Sequence, residues 1–114
     1  MNKLLSQYKC EPCSGSTPKL PVDEIQNKLS ELNEWELNNN KEMIFKKFKF
    51  KNFKKALHFI NLVGELAEEE GHHPDLSLGW GYCLIMIHTH AIKGLSINDF
   101  ILAAKIDKII QQNQ

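Results

Sequence analysis

The chain has 114 residues, of which 42% are hydrophobic and 25% are charged, values typical of one soluble globular domain. Fourteen lysines balance fourteen acidic residues, so the net charge of zero argues against binding nucleic acid or an anionic membrane through bulk charge. Because the chain has no arginine, sites that bind phosphate or carboxylate through a bidentate guanidinium are excluded.

The cellular setting is inferred from the cysteines and from the distribution of apolar residues. Three cysteines is an odd count that implies no complete disulfide framework, so we expect a reducing, cytoplasmic environment. The first ten residues lack the apolar segment of a signal peptide. The longest stretch without Lys, Asp or Glu, residues 76–92, is too short and too polar to cross a bilayer, and we expect no membrane partner.

In chain order, an irregular lead-in and a short helix come first. Residues 1–20 have no periodic apolar pattern and contain two prolines, so they are predicted to be irregular. Pro21 fits the first position of a helix. Apolar residues then repeat at three- and four-residue intervals, which predicts about three helical turns; they are Val22, Ile25, Leu29 and Leu32.

The next segment, residues 35–50, is predicted to be a β-hairpin. Trp35 and Leu37 alternate with polar residues, and three consecutive asparagines at 38–40 provide a turn. The lysines interleaved with phenylalanines at 46–55 resemble a platform for single-stranded nucleic acid. Lysine is also common on edge strands, where it prevents aggregation between sheets, and we expect no nucleic-acid partner.

The clearest helix follows the hairpin. Its apolar stripe is predicted to contain Phe53, Ala56, Leu57, Ile60, Val63, Gly64 and Ala67. The opposite face carries lysines, acids and His58, and it is expected to face solvent. Gly71 is predicted to end this helix, and Pro74 prevents the helix from resuming.

A second hairpin and a last helix complete the chain. Residues 82–87 are an unbroken apolar run, which predicts a strand covered on both faces, with one cover supplied by another subunit. Ser96 is predicted to cap the last helix, with Asp99 three residues later, and residues 111–114 are expected to fray. The order α-β-β-α-β-β-α over residues 21–110 predicts a single α+β domain with an antiparallel sheet covered by helices.

Four of the five histidines fall in one short region of the sequence: His72, His73, His88 and His90. Histidine side chains exchange protons near neutral pH. Pro74 restricts His73 to extended conformations, so His72 and His73 are expected to point in different directions. His90 follows the last strand, and a hairpin sheet can bring these groups together at strand ends as an acid–base site; the alternative is that they are separate surface histidines.

A metal site is the alternative explanation for the histidines. Three histidines can hold a catalytic zinc, and His88-x-His90 places two rings on one face of a strand. No zinc-binding helix signature is present, and Cys10-x-x-Cys13 lacks the second cysteine pair of a zinc ribbon. We therefore expect no bound metal. Among the acids that end the central helix, Glu68 lies one turn before His72 and is the one expected to reach the histidines.

Taken together, these motifs resemble the pterin-4a-carbinolamine dehydratase family. The resemblance rests on Gly-His-His-Pro-Asp at 71–75, Thr-His at 89–90, Gly-Leu-Ser at 94–96 and Asp99. It extends over residues 20–108, and the lead-in with its two cysteines is similar to bacterial members. The residues that match the family's active site are His72, His73 and His90, and those expected to support them or to bind substrate are Glu68, Pro74, Asp75, Thr89 and Asp99.

This resemblance implies a fold, a reaction and an assembly. The family fold is a four-stranded antiparallel sheet covered on one face by three helices, assembled into dimers or tetramers. The family converts 4a-hydroxytetrahydrobiopterin to quinonoid dihydropterin and water with no cofactor and no metal. The carbinolamine is left by aromatic amino-acid hydroxylases, which implies a functional link to such an enzyme. The natural substrate stays open, because another reduced pterin fits the same residues.

The sequence departs from the family pattern at two positions. Leu76 stands where animal members have a tryptophan beside the pterin pocket, which puts ligand stacking there in question. His88 stands where other members often have serine or threonine; it either lines the pocket or is a tolerated variant, and we favour the second interpretation. Asp99 has two candidate roles: it caps the last helix, or it orients His90, and it can do both.

Overall fold

The computed structural model describes residues 4–12 and 14–112. The helices and strands follow the predicted order, and their bounds are α1 Val22–Leu29, β1 Glu36–Leu37, β2 Ile44–Lys49, α2 Phe53–Glu70, β3 Asp75–Gly79, β4 Tyr82–Ile87 and α3 Ile97–Gln112. Short 3₁₀ turns occur at Leu5–Gln7 and His90–Ile92. No helix in the described ranges is long and apolar enough to span a membrane.

The four strands form one antiparallel sheet in the order β1-β2-β4-β3, which confirms the predicted α+β fold. In β2, Phe48 pairs with Cys83 of β4, and the aromatic ring of Phe48 packs against Phe59 of α2 with 4.9 Å between ring centroids. β1 pairs only with Ile44 and Phe45, so the part of β2 that carries its lysines, residues 46–49, has a described strand on one side only, as the edge interpretation predicts.

One face of the sheet is covered by the helices and the other is open. In β4 the side chains alternate between fully buried, at Cys83, Ile85 and Ile87, and half-buried, at Tyr82, Leu84 and Met86. The prediction that β4 is covered on both faces is therefore not met within one chain. The apolar residues of β4 lie on both faces of the sheet, but the three helices cover only one of these faces.

The buried face of α2 differs from the predicted stripe. The residues that pack on the sheet are Ala56, Phe59, Val63 and Ala67, whereas Phe53 and Leu57 are 43% and 39% exposed. The helix has two adjoining apolar stripes, one buried and one exposed, and apolar spacing alone predicts them as a single buried stripe. The predicted end is confirmed, because Gly71 adopts the left-handed conformation with φ 67°.

The two chain ends also differ in detail from the expectation. Within the lead-in, Leu5 and Cys10 are buried against the core, and the Cys10 backbone N–H donates to the Glu70 carboxylate over 2.9 Å. Helix α3 continues through Gln112, so residues 111 and 112 are helical rather than frayed. Cys13, Asn113 and Gln114 lie outside the described residues.

Candidate active site

The histidines converge where α2 ends, β4 ends and the turn before α3 begins. They line a cleft of about 220 Å³ whose walls are residues 71–73 and 88–91. Larger clefts occur elsewhere, such as one of about 430 Å³ beside Phe50 and His58. Within the described ranges, only the smaller cleft combines several histidines with carboxylate partners, so it is the better candidate for acid–base chemistry.

His72 forms the inner wall of the cleft and is held by a buried carboxylate. Its Nε2 lies 2.6 Å from Oδ1 of Asp99, and the Asp99 side chain is completely buried. The other carboxylate oxygen accepts hydrogen bonds from the Thr89 hydroxyl and the Ser96 backbone N–H, each over 2.8 Å. Asp99 therefore caps α3 and fixes one nitrogen of His72 at the same time.

This geometry corrects one prediction for Asp99. The carboxylate contacts His72 rather than His90. Asp99 lies in the first turn of α3, and His72 follows the C-terminal cap of α2, so the packing of the two helices brings them together. A sequence separation of 27 residues gives no local signal for this contact.

His73 is exposed at the rim of the cleft and has a different carboxylate partner from His72. Its Nε2 is 2.5 Å from Oε2 of Glu68, one turn back along α2, and both side chains are largely exposed. The divergence of His72 and His73 matches the orientation predicted from Pro74. The predicted contact of Glu68 with the histidines is also present, and it involves His73.

The third wall is formed by the segment after β4. Thr89 pairs with Gly94 in an isolated β-bridge, and the turn His90–Ile92 lies between them, which fixes the backbone of His90. The His90 ring lies 4.0 Å from the His88 ring between centroids, and the Nε2 of His88 is 3.2 Å from Oδ2 of Asp75.

His88 therefore lines the cleft, contrary to its favoured interpretation as a tolerated variant. The signal was present in its spacing, because residues 88 and 90 are two apart at a strand end and fall on the same face. Leu76, on the edge strand β3, is 38% exposed and does not line this cleft.

The cysteines are poor candidates for nucleophiles. Burial, with help from the nearby Glu70 carboxylate, raises the pKa of the Cys10 thiol to about 12, and burial raises the pKa of Cys83 to about 11. A thiol with such a pKa holds its proton at neutral pH and is unreactive. The Cys10 thiol instead lies 3.5 Å from the backbone carbonyl of Asn98, which indicates a packing role.

The arrangement suits proton transfer to and from a small molecule bound in the cleft. Imidazole groups on two or more sides of one cleft can act as acid and base on the same ligand. Carboxylates beside the rings set their orientation and tautomer. In addition, Asp75, His88 and His90 each offer a metal-ligating atom, and these three atoms lie within 4.8 Å of one another.

Comparison with known proteins gives a consistent result. The sequence profile of the family described as pterin 4 alpha carbinolamine dehydratase matches residues 18–109. A protein of Alkaliphilus metalliredigens is 51% identical over 105 residues, covering 91% of this chain and 94% of its own. A protein of Rickettsia canadensis is 51% identical over 108 residues, covering 94% and 98%. Both are provisionally named pterin-4-alpha-carbinolamine dehydratases.

Solved structures share the fold. A crystal structure described as a transcriptional coactivator/pterin dehydratase from Brucella melitensis superposes with a TM-score of 0.77 at 28% identity, covering 81% of this chain and 98% of that one. A pterin dehydratase-like protein described as a RuBisCO assembly factor superposes with a TM-score of 0.59 at 24% identity, which supports the fold alone.

Proposed function

The chain belongs to the pterin-4α-carbinolamine dehydratases, a family of hydro-lyase enzymes, and from this premise we propose that its histidine cleft dehydrates 4a-hydroxytetrahydrobiopterin by general acid–base catalysis. The observation that carries the proposal is the convergence of His72, His73 and His90 on one cleft. Two of the three rings are fixed by a carboxylate, and the third is fixed through its backbone.

The proposed reaction needs one proton delivered and one removed. The bond between C4a and its hydroxyl oxygen breaks, and the oxygen takes up a proton and leaves as water. The proton on N5 is abstracted, and its electron pair forms the C4a–N5 double bond of the quinonoid product. No electrons are exchanged with a second reactant, so histidine side chains suffice as the acid and the base.

The positions of the three rings fit these two proton transfers. His72 is recessed with one nitrogen occupied by Asp99, whereas His73 and His90 lie at the exposed parts of the cleft. The proposed acid and base are therefore His73 and His90, with His72 contacting the ligand from the inner wall. Glu68 and Asp99 act as positioning residues through His73 and His72. Pro74, Asp75 and Thr89 support the segments that carry the rings.

The context of this activity is also a proposal. We propose that residues 21–110 act as a single catalytic domain, that the chain functions as a homo-oligomer, and that an aromatic amino-acid hydroxylase supplies the carbinolamine in tetrahydrobiopterin recycling. A cytoplasmic setting is supported by Cys10 and Cys83, which are buried free thiols.

The direct test is dehydration of chemically generated carbinolamine by the purified chain. Quinonoid dihydropterin is followed by its absorbance, and the rate is compared with the spontaneous reaction in the same buffer. We expect an acceleration that is proportional to enzyme concentration. A rate equal to that of the buffer blank, with a folded protein, would refute the proposed function.

A further inference from the structure

We propose that Asp75, His88 and His90 form an open Zn²⁺-binding site at the rim of the cleft, and that an ion bound there removes His90 from the dehydration reaction. The three ligand atoms lie within 4.8 Å of one another. The metal-binding part of this proposal stands on geometry alone, and only the inhibitory part rests on the proposed function.

The sheet register places two of the ligands side by side. Asp75 begins β3 and pairs with Met86 of β4. His88 directly follows β4, and the alternation of β4 continued by one residue puts His88 on the face that Met86 and Asp75 share. The observed separation between Oδ2 of Asp75 and Nε2 of His88 is 3.2 Å. Asp75 is therefore carried by the β3–β4 pair, and His88 is the residue that directly follows β4.

The spacing agrees with a tetrahedral zinc ion. Zinc lies about 2.0–2.2 Å from imidazole nitrogen and carboxylate oxygen, so two ligands at the tetrahedral angle are about 3.3–3.6 Å apart. The Asp75–His88 pair is already close to this value. The ligand atom of His90 lies within 4.8 Å of the other two, and His90 is exposed, so its side chain can rotate to the tetrahedral spacing.

The ligand set also selects the class of ion. Two imidazoles and one carboxylate suit Zn²⁺ and its neighbours Co²⁺, Ni²⁺ and Cu²⁺, whereas Mg²⁺ and Ca²⁺ prefer oxygen ligands. Three protein ligands leave a fourth position for water, as in open zinc sites. Asp75 is 54% exposed, so the ion can exchange with solvent, and the site differs from a buried structural centre.

The test is a zinc titration of the full chain after treatment with a chelator. We expect isothermal titration calorimetry to give one Zn²⁺ per chain, and Mg²⁺ to give no comparable heat. Asp75→Asn and His88→Gln should each weaken zinc binding roughly tenfold or more. His58→Gln is the matched control, because His58 is an exposed histidine on α2 away from the site, and it should bind zinc as the wild type does.

Cobalt provides a second readout that separates this site from the cysteines. Co²⁺ held by two imidazoles and a carboxylate gives visible bands without the intense near-ultraviolet sulfur charge transfer of thiolate ligation. Charge-transfer bands, or zinc affinity unchanged in both Asp75→Asn and His88→Gln, would overturn the site. Asp75 is largely exposed, so its variant tests the site even if His88→Gln fails to fold.

The inhibitory part is measured on the same samples. Dehydration should fall with added Zn²⁺ over the concentration range in which the ion binds, and it should recover on addition of chelator. Full turnover by the zinc-saturated chain would overturn this part. A metal-free chain that binds zinc as expected but has no dehydratase activity would refute the proposed function and leave the binding site in place.

Discussion

Asp99 shows how one buried carboxylate connects the fold to the cleft. It is fully buried and accepts hydrogen bonds from Thr89 and Ser96 while holding His72. A buried carboxylate is tolerated only when its oxygens are fully used. The same bonds that satisfy Asp99 therefore fix the relative positions of α3, the end of β4 and the first cleft histidine.

The catalytic assignment makes a prediction for single histidines. His73→Ala and His90→Ala should each lower turnover by about 10²–10⁴-fold, because each removes a group proposed to move a proton. His72→Ala should lower turnover by a somewhat smaller factor. The double variant should lose less than the product of the single effects, since both groups act on one reaction step. The measurement is the initial rate of carbinolamine dehydration, after melting curves have shown that each variant is folded.

His58 is the control for these variants. It lies exposed on α2, outside the cleft, so His58→Ala should leave the dehydration rate nearly unchanged. If His58→Ala loses activity while His90→Ala retains it, the active site is not the histidine cleft.

Local rules predict some of these positions and miss others. Pro74 was enough to predict that His72 and His73 diverge, because it restricts the backbone of its neighbour. The contact of Asp99 with His72 joins residues far apart in sequence, and only the packed helices create it. The contact of His88 with Asp75 has a similar origin, since partners across a strand pair depend on register as well as on spacing along one strand.

At the scale of elements, Lys46 connects the sheet to α3. Side chains of β2 alternate between the buried and the outer face of the sheet, and Lys46 is on the buried face. Its Nζ lies 3.0 Å from Oδ1 of Asp107 and 2.6 Å from the carbonyl of Asn33, and Asp107 also accepts from the Trp35 indole. The alternation of β2 indicates that Lys46 is on the buried face, but nothing in the local sequence identifies Asp107 as its partner.

This buried pair gives the second prediction. Lys46→Met should lower the free energy of unfolding by about 3–5 kcal/mol, because it leaves Asp107 buried without its cation. Lys49→Met, on the exposed face of the same strand, should change it by less than about 0.5 kcal/mol. Urea unfolding measures both. Equal effects of the two substitutions would show that the Lys46–Asp107 pair contributes nothing specific.

Glu70 anchors the lead-in to the end of α2 and makes that anchor dependent on pH. Burial alone would raise the pKa of Glu70, but the Cys10 N–H and the Lys105 ammonium outweigh it and lower the pKa below the ordinary 4.5. A carboxylate whose pKa is lower in the folded state than in the unfolded state stabilises the fold at pH values above its unfolded-state pKa. This stabilisation is lost as the pH falls through the folded-state pKa.

The third prediction follows from this sign. At pH 7, Glu70→Gln should lower the free energy of unfolding by about 1.5 kcal/mol, the size of a hydrogen bond to a charged group. The difference from the wild type should shrink as the pH falls below 4.5 and the wild-type carboxylate becomes protonated. Urea unfolding across this range measures it, with exposed Glu69→Gln as the control. A difference that stays constant down to the acid limit would contradict the proposed anchor.

At the scale of the whole molecule, two apolar surfaces remain exposed on a single chain. The first is the second stripe of α2, where Phe53 and Leu57 are exposed and an added Cβ on Gly64 would meet no atom within 4 Å. The second is the open face of the sheet, where Leu84 and Met86 are half-buried. Neither surface is needed for packing within the chain, and exposed apolar surface of this kind is typical of protein interfaces.

The last prediction concerns which of these surfaces joins copies of the chain. Light scattering at micromolar concentration should give a multiple of the 13.2 kDa chain mass. The α2 stripe is the more exposed of the two, and a glycine such as Gly64 lets two helices approach closely, so Leu57→Glu should dissociate the assembly. Leu84→Glu is the matched charge on the sheet face, and an unchanged mass in this variant would contradict the sequence-based prediction that another subunit covers β4. Dissociation by Leu84→Glu alone would move the interface to the sheet, and a wild-type chain that is monomeric at 13.2 kDa would contradict self-association altogether.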